Sequence, residues 1–404
     1  MATIHYSEID GRSAGFFALL ALLAVMVAGG LGGAWYMEHN GHYVTGMSNR
    51  IVWGVPHVFA VFLIVAASGA LNVASIASVF GRELYKPLAR LSGVLAITLL
   101  AGGLAVLVLD LGRPERLIVA MTYFNFKSIF AWNIFLYTGF FAIVAAYLWV
   151  MMERRMNAYS KPLGMLAFLW RLILTTGTGS IFGFLVARES YDSALYAPLF
   201  IIMSFAFGLA IFVLVLMAAC GGARRALGDA IVLRLKTLLG QFVAVLMYFV
   251  VVYHLTNLYF TRRHDFERFI LVDGGIYTAL FWLGQVLIGG ILPLALLFHP
   301  VWSRSRRVVA AASVCVILGG LAQIYVIIIG GQAYPLPIFP GKDIASRAFD
   351  GVIATYAPSL PEVALGVGGF ALALVLTAVA LKVLPLLPRS LADNEGAKAA
   401  PGNA

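Results

Sequence analysis

The sequence predicts an all-α integral membrane protein of ten transmembrane helices, arranged as two four-helix bundles plus two extra helices. Three observations predict it. Of the 404 residues, 62% are hydrophobic and only 11% charged, with a mean hydropathy of +0.94, whereas a soluble domain carries about 25% charge. That much apolar surface exceeds what one aqueous core can hide, which excludes a water-soluble enzyme; it also excludes intrinsic disorder, which requires low hydrophobicity. Second, apolar runs of about 20 residues, the length that crosses a bilayer core of about 30 Å, recur ten times along the sequence. Third, none of these runs alternates with the two-residue period of a membrane β-barrel.

In order the runs cover about 14–37, 52–80, 88–109, 128–152, 164–187, 194–220, 231–260, 275–298, 307–331 and 361–385, each bounded by charge, Gly or Pro. The first lacks the basic amino-terminal region and small-residue cleavage site of a signal peptide, and is expected to be a retained helix. Runs two to five and six to nine form two weak pseudo-repeats, about 52–187 and 194–331. Loops on the side of the termini are short and polar. Those on the opposite side are elaborate: 38–55, 110–127, 261–274 and the Pro- and aromatic-rich 332–360. A long ordered loop of that kind is expected to cover a site or dock a partner. From about 388 onward the residues are small and polar, and a disordered cytoplasmic tail is expected over 388–404.

Ten spans place both termini on one side, and the charge distribution orients them. Loops on the terminal side hold 17 Lys and Arg against 10 on the other, while the acids divide 7 to 11. Basic residues collect in cytoplasmic loops. The expected location is therefore a bacterial cytoplasmic membrane with both termini inside, and the net charge of +10 is an orientation signal with no nucleic-acid partner implied. The two cysteines, Cys220 and Cys315, lie in apolar runs, and no CxxC, CxxCH or four-Cys cluster exists. The chain alone is thus expected to carry no iron–sulfur cluster and no c-type haem.

Ionisable residues at membrane depth are costly and mark functional sites. Most here lie at the outer ends of spans. His57 opens the second span, Asp110 closes the third with Arg113 just beyond it, and Ser128, Trp132 and Asn133 open the fourth. These ends can converge on a pocket of imidazole, carboxylate, guanidinium and aromatic walls. A quinone headgroup requires that mixture, with His57 and Asp110 exchanging its protons. The structural alternatives are an Asp110–Arg113 pair capping helix ends, His57 bonded to a loop carbonyl, and Trp132 as an interfacial anchor. A secondary candidate pocket combines His254 and Asn257 at the end of the seventh span with Asp273 and Tyr277 at the start of the eighth; positions four apart share a helix face. Arg171, one to two turns into the fifth span, aligns with Thr175 and Thr178. This set reads either as a proton path or as a snorkelling arginine with threonines bonded back to the helix.

The stretch Asp110-Leu111-Gly112-Arg113-Pro114, followed by Ser128 and Trp132, resembles the NrfD/polysulfide-reductase membrane-subunit family. The ten-span layout is similar to the longer branch of that family, found among alternative complex III and hydrogenase membrane subunits and in the membrane complex of dissimilatory sulfur metabolism. Gly330, Gly331, Gln332, Tyr334, Pro335, Tyr356, Pro358, Ser359 and Glu362 look like that branch too. Many relatives place Pro-Met before the serine, where this protein has Phe126-Lys127. The resemblance implies a subunit without a redox centre of its own. It would exchange electrons between menaquinone or ubiquinone and a ferredoxin-like iron–sulfur subunit on the outer face, alongside a multihaem cytochrome c and other membrane subunits. It also implies that Asp110, Arg113, Ser128 and Trp132 line or support the quinone site. Three alternatives stand beside it. A haem b anchor would need His57 and His254 as axial ligands. A secondary transporter would place polar groups and broken helices at the midplane rather than at the outer ends. A pure assembly anchor would bind no quinone.

Overall fold

The computed structural model describes residues 4–335 and 352–392. Among them, ten helices are long and apolar enough to cross a membrane: span 1 (Ala14–Asn40), span 2 (Val55–Ser78), span 3 (Glu83–Leu109), span 4 (Ile129–Met152), span 5 (Arg154–Gly183), span 6 (Tyr196–Gly222), span 7 (Asp229–Tyr259), span 8 (Ile276–Phe298), span 9 (Arg306–Ala333) and span 10 (Leu360–Val383). The chain is an all-α, multi-pass integral membrane protein. Helices overrun the apolar runs where polar residues still find partners. Span 7 begins at Asp229, and Lys236 in its second turn reaches Ser303 Oγ at 2.8 Å. Span 5 ends at Gly183 rather than near 187, where the backbone turns toward the buried Ser190 and Tyr191. Span 2 is interrupted at Leu71, between helices Val55–Ala70 and Asn72–Ser78.

Spans 2 to 5 pack as one four-helix group and spans 6 to 9 as another, joined through spans 2, 5 and 6. Span 1 pairs with span 10, and span 10 lies against spans 2 and 3. Lipid tails are as apolar as leucine, so helices in a bilayer associate through close van der Waals packing at small residues. Span 2 meets span 6 where a Cβ on Gly69 would strike the Ser204 carbonyl and one on Gly208 the backbone of Gly69 and Ala70. Span 1 meets span 10 at Gly30, whose added Cβ would sit 2.8 Å from Gly368 Cα.

The termini share one face. Tyr6 and Ser7 pair antiparallel with Pro388 and Leu387. The Arg225 guanidinium gathers the carbonyls of Ser7 at 3.1 Å and Leu387 at 2.9 Å, and Leu391 bridges to Leu227. The opposite face, called distal below, carries the elaborate loops. The disordered tail expected from 388 therefore begins too early. Residues 388–392 are docked because Leu387 and Leu391 are buried and Arg225 supplies donors, neither of which tail composition reveals. Residues 393–404, and 336–351 of the long distal loop, lie outside the described residues.

Gly208→Leu should prevent spans 2 and 6 from seating. Overpacking costs about 1–3 kcal/mol, and more where backbone must move. Gly221→Leu, with nothing within 4 Å of its added Cβ, should leave the protein unchanged. Melting of the detergent-solubilised protein separates them; equal melting of both variants would show that the contact is not limiting.

Candidate functional site

The distal end of span 2 is fixed by three side chains remote in sequence. Gln332, 2% exposed, accepts from the Val52 and Trp53 amides at 3.0 and 3.1 Å and donates to the Trp53 and Ile328 carbonyls at 3.0 and 2.9 Å. Tyr356 accepts from the Val55 amide at 2.8 Å and donates to Glu362 Oε1 at 2.7 Å. The other Glu362 oxygen accepts from the Gly46 and Ser359 amides at 2.8 and 2.7 Å, as the glutamate of a capping box on span 10. Burial and the adjacent Glu362 push the Tyr356 phenol well above its ordinary value. Pro56 then starts the helix, where a missing N–H costs nothing. His57 follows in the first turn, half-buried.

Asp110 closes span 3; its amide bonds the Val106 carbonyl at 3.0 Å. Gly112, at φ +69°, turns the backbone away, and a Cβ there would crowd the His42 ring at 3.1 Å. The Asp110 carboxylate is 1% exposed and lies between two imidazoles. His57 Nδ1 is 3.0 Å from Oδ2, out of line for a hydrogen bond. His42 Nε2 is 3.7 Å from Oδ1 and 3.2 Å from the Asp110 carbonyl oxygen. Burial pushes the Asp110 carboxyl up, but the contacts with His42 and His57 outweigh it and hold its pKa below the usual value. His42 is raised above the usual imidazole value, chiefly by its contact with Asp110, despite partial burial. The three groups can hold and pass protons between His57 and the more exposed His42.

Sequence reasoning missed His42, because only the distal loop after span 1 brings it over Gly112. It also missed Trp53, whose ring lies 6.3 Å from His57, 5.9 Å from Phe130 and 6.0 Å from Phe182. Its indole is the aromatic wall beside His57. Of the residues expected there, Arg113 is exposed, and the partners of Asp110 are histidines rather than Arg113. Ser128 is half-buried at the N-cap of span 4. Trp132 is 47% exposed, with its indole N–H on the Phe126 carbonyl at 2.8 Å, in the outward position of an interfacial anchor. Asn133 is buried and joins spans 4 and 5: it donates to the Gly177 carbonyl at 3.1 Å and accepts from Thr178 at 3.3 Å.

Arg171 overturns the snorkelling alternative. It lies halfway along the regular helix Ser160–Gly183, deeper than one to two turns, because that helix starts at Ser160, ahead of the apolar run. Its side chain is 1% exposed, stacked between Phe168 and Phe205 at 4.9 and 5.0 Å. Its Nε and Nη1 have no hydrogen-bond partner among the described residues. Thr175 and Thr178 do bond back along the helix, and Thr175 also reaches Ser68 at 2.6 Å.

The secondary pocket assembles differently from expectation. His254 Nδ1 meets Glu267 Oε2 at 2.6 Å, and Asn257 donates to Glu267 Oε1 at 2.7 Å. Glu267, fully buried, had no signal in the sequence beyond an acid inside the apolar stretch FERFILV. Asp273 is not a member: it is exposed and paired with Arg268 at 2.6 Å. Tyr277 faces Phe269 and Tyr325 instead. The π-helical turn Phe269–Asp273 and Gly275, at φ +58°, reset the register before span 8. Among the described residues, no three His, Cys, Asp or Glu side chains gather around a common metal position.

Residues 43–335 match the family described as Polysulphide reductase, NrfD. The protein is 29% identical to the Hdr-like menaquinol oxidoreductase integral membrane subunit of Archaeoglobus fulgidus, over 95% of its own length and 97% of that relative's. It is 24% identical to a selenate reductase subunit of Mesobacillus selenatarsenatis, over 92% and 94%. It is also 24% identical to one of the polysulfide reductase chains of Wolinella succinogenes, over 71% and 96%.

The raised His42 pKa has a stability consequence. A histidine with a raised folded-state value contributes stability that is present below about 6.5 and lost as pH rises through the higher folded value. Asp110, with its lowered value, contributes above its unfolded value and loses that contribution on acidification. Melting temperature should therefore fall as pH is raised from about 6 to about 9, and His42→Gln should flatten that slope. An equal slope in the variant would show that His42 does not titrate against Asp110.

Proposed function

The chain belongs to the NrfD polysulphide reductase family, and we propose that it is the quinone-reactive membrane subunit of a respiratory-type redox complex. It exchanges electrons between the quinone pool and a ferredoxin-like iron–sulfur partner on the distal face, in dissimilatory sulfur metabolism. The observation that carries this reading is the buried Asp110 held between His57 and His42 at the distal end of spans 2 and 3. Oxidation of a quinol releases two electrons and two protons. The electrons go to the partner, and the protons need a path out of an apolar site. A quinol hydroxyl presented to His57 Nε2 gives its proton there, a small rotation of the ring brings Nδ1–H into line with Asp110 Oδ2 for transfer, and His42 delivers the proton to distal water. Trp53 supplies the flat apolar wall for the ring. The name of the Archaeoglobus relative supports menaquinone. The excess of basic residues on the terminal face supports cytoplasmic termini and a bacterial cytoplasmic membrane. The relatives named as parts of reductases or an oxidoreductase support a multi-subunit setting, in which a multihaem cytochrome c is a further partner.

Two buried hydrogen-bonded pairs, Asn133–Thr178 and Ser68–Thr175, form a broken polar file between the distal end of span 4 and Arg171 in the middle of span 5. In the same proposal it carries protons between the pocket and the terminal face.

Asp110→Asn and His57→Phe should each abolish quinol-dependent reduction of the partner by the purified complex, with assembly of the complex unchanged. Full turnover in both variants would refute the site. Arg171→Leu should leave quinol binding intact and lower proton uptake or release per electron in proteoliposomes; an unchanged ratio would remove the file from the mechanism.

A further inference from the structure

Spans 8 and 9 touch backbone to backbone: a Cβ on Gly289 would lie 2.8 Å from Gly319 Cα. One turn distal to that contact, Gln285 and Gln323 look into two adjoining voids, of about 30 and 10 Å3. The larger rises along span 7 to Tyr253 and His254. Its size suits about two waters, since each needs about 10–15 Å3 and two to four polar partners. The partners are present. Gln285 and Gln323 are 6% and 2% exposed, and Gln323 Nε2 is buried with no hydrogen-bond partner among the described residues. The Tyr196 and Tyr253 hydroxyls, 2.9 Å apart, share the Ser190 carbonyl. Both helices leave α geometry here, with π-helix over Leu280–Ile291 and Val326–Gly330. Such segments are rare and concentrate at functional sites.

At the distal end of this void stands the His254–Glu267 pair described above. Around it face Tyr253 from span 7, Tyr196 from span 6 and, through Asn257, Arg263 at 2.8 Å. The quinone reading uses none of these groups. An ion pair that only fastened the loop to span 7 would not need a water-sized void with an unpartnered amide donor beside it.

We infer that the second bundle carries a proton-binding site of its own, in which Glu267 and His254 share an exchangeable proton that water on Tyr253, Gln285 and Gln323 connects to the middle of the membrane. The ligands are water and a proton. When void water gives a proton to His254 Nε2, the Nδ1 proton shifts to Glu267 Oε2; the reverse sequence empties the site. No oxidant or reductant is consumed. The site is separate from the His57–Asp110 pocket and stands or falls independently of quinone chemistry.

The test is infrared difference spectroscopy on pH jumps, with the full-length protein in lipid nanodiscs, in H2O and D2O. The wild type should show a deuterium-sensitive protonated-carboxyl band that Glu267→Gln removes. Gln285→Leu and Gln323→Leu, which dry the void, should slow its exchange severalfold. A band unchanged in Glu267→Gln, or exchanging equally fast in both leucine variants, overturns the inference. Should Glu267→Gln fail to fold, His254→Gln, which keeps an amide donor for Glu267, must shift the pH midpoint of the band. An unmoved midpoint overturns the inference equally.

Discussion

A carboxylate withdrawn from water must be neutralised or fully hydrogen-bonded by the protein itself, because lipid offers nothing. Among the described residues three acids are in that position, Asp110, Glu267 and Glu362, and the distal half of the molecule is organised around them. Glu362 binds two backbone amides and the Tyr356 phenol, and so joins the loop after span 1, the start of span 2 and the start of span 10. Asp110 draws His42 and His57 from different elements. Glu267 draws His254 and Asn257 from span 7. Each contact joins segments that are separate in sequence, so these acids both define the sites and fasten the loops that form them.

The two bundles solve the same problem with different chemistry. In each, an imidazole near the distal end of a span faces a buried carboxylate. In the first bundle that carboxylate has a second, half-exposed histidine on its other side, and the Trp53 ring lies beside His57, which suits a flat, proton-yielding ligand. In the second the carboxylate is flanked by an amide and, beyond that, by Arg263, and the void near it is of water size, with Tyr253, Gln285 and Gln323 among its lining residues. Polar groups continue inward in both: Thr178, Thr175 and Arg171 in one, Gln285 and Gln323 in the other. Polarity at that depth is costly unless it serves conduction or binding.

Packing between spans sets how far these polar groups can be buried. Backbones approach at Gly69 and Gly208, at Gly30 and Gly368, and at Gly289 and Gly319, where no side chain stands between helices. The first contact joins the two bundles. The third closes the void of the second bundle on the side away from His254. Span 1, with only 11% of its apolar window buried, is held along one side by span 10 and is otherwise free to face lipid.

The sequence by itself determined the ten spans, the shared side of the termini and the helix-end positions of His57, Asp110 and His254. Length, apolarity and charge are local properties that a bilayer reads residue by residue. Its GRP turn was legible because Gly112 occupies a backbone conformation other residues avoid. Only the tertiary structure decided what each ionisable group faces. His42 arrives from the loop after span 1, Glu267 from the loop after span 7, and Gln332 from the far end of span 9, at sequence separations that carry no periodic signal. Trp132 and Asp273, plausible by position, turn outward because rotation about the helix axis is set by neighbouring helices. Arg171 lies deeper in its helix than its flanking sequence suggests, because the regular helix starts at Ser160, before the apolar run begins. Depth follows from the course of the backbone, and partners follow from long-range packing, and a linear pattern of polar and apolar residues encodes neither.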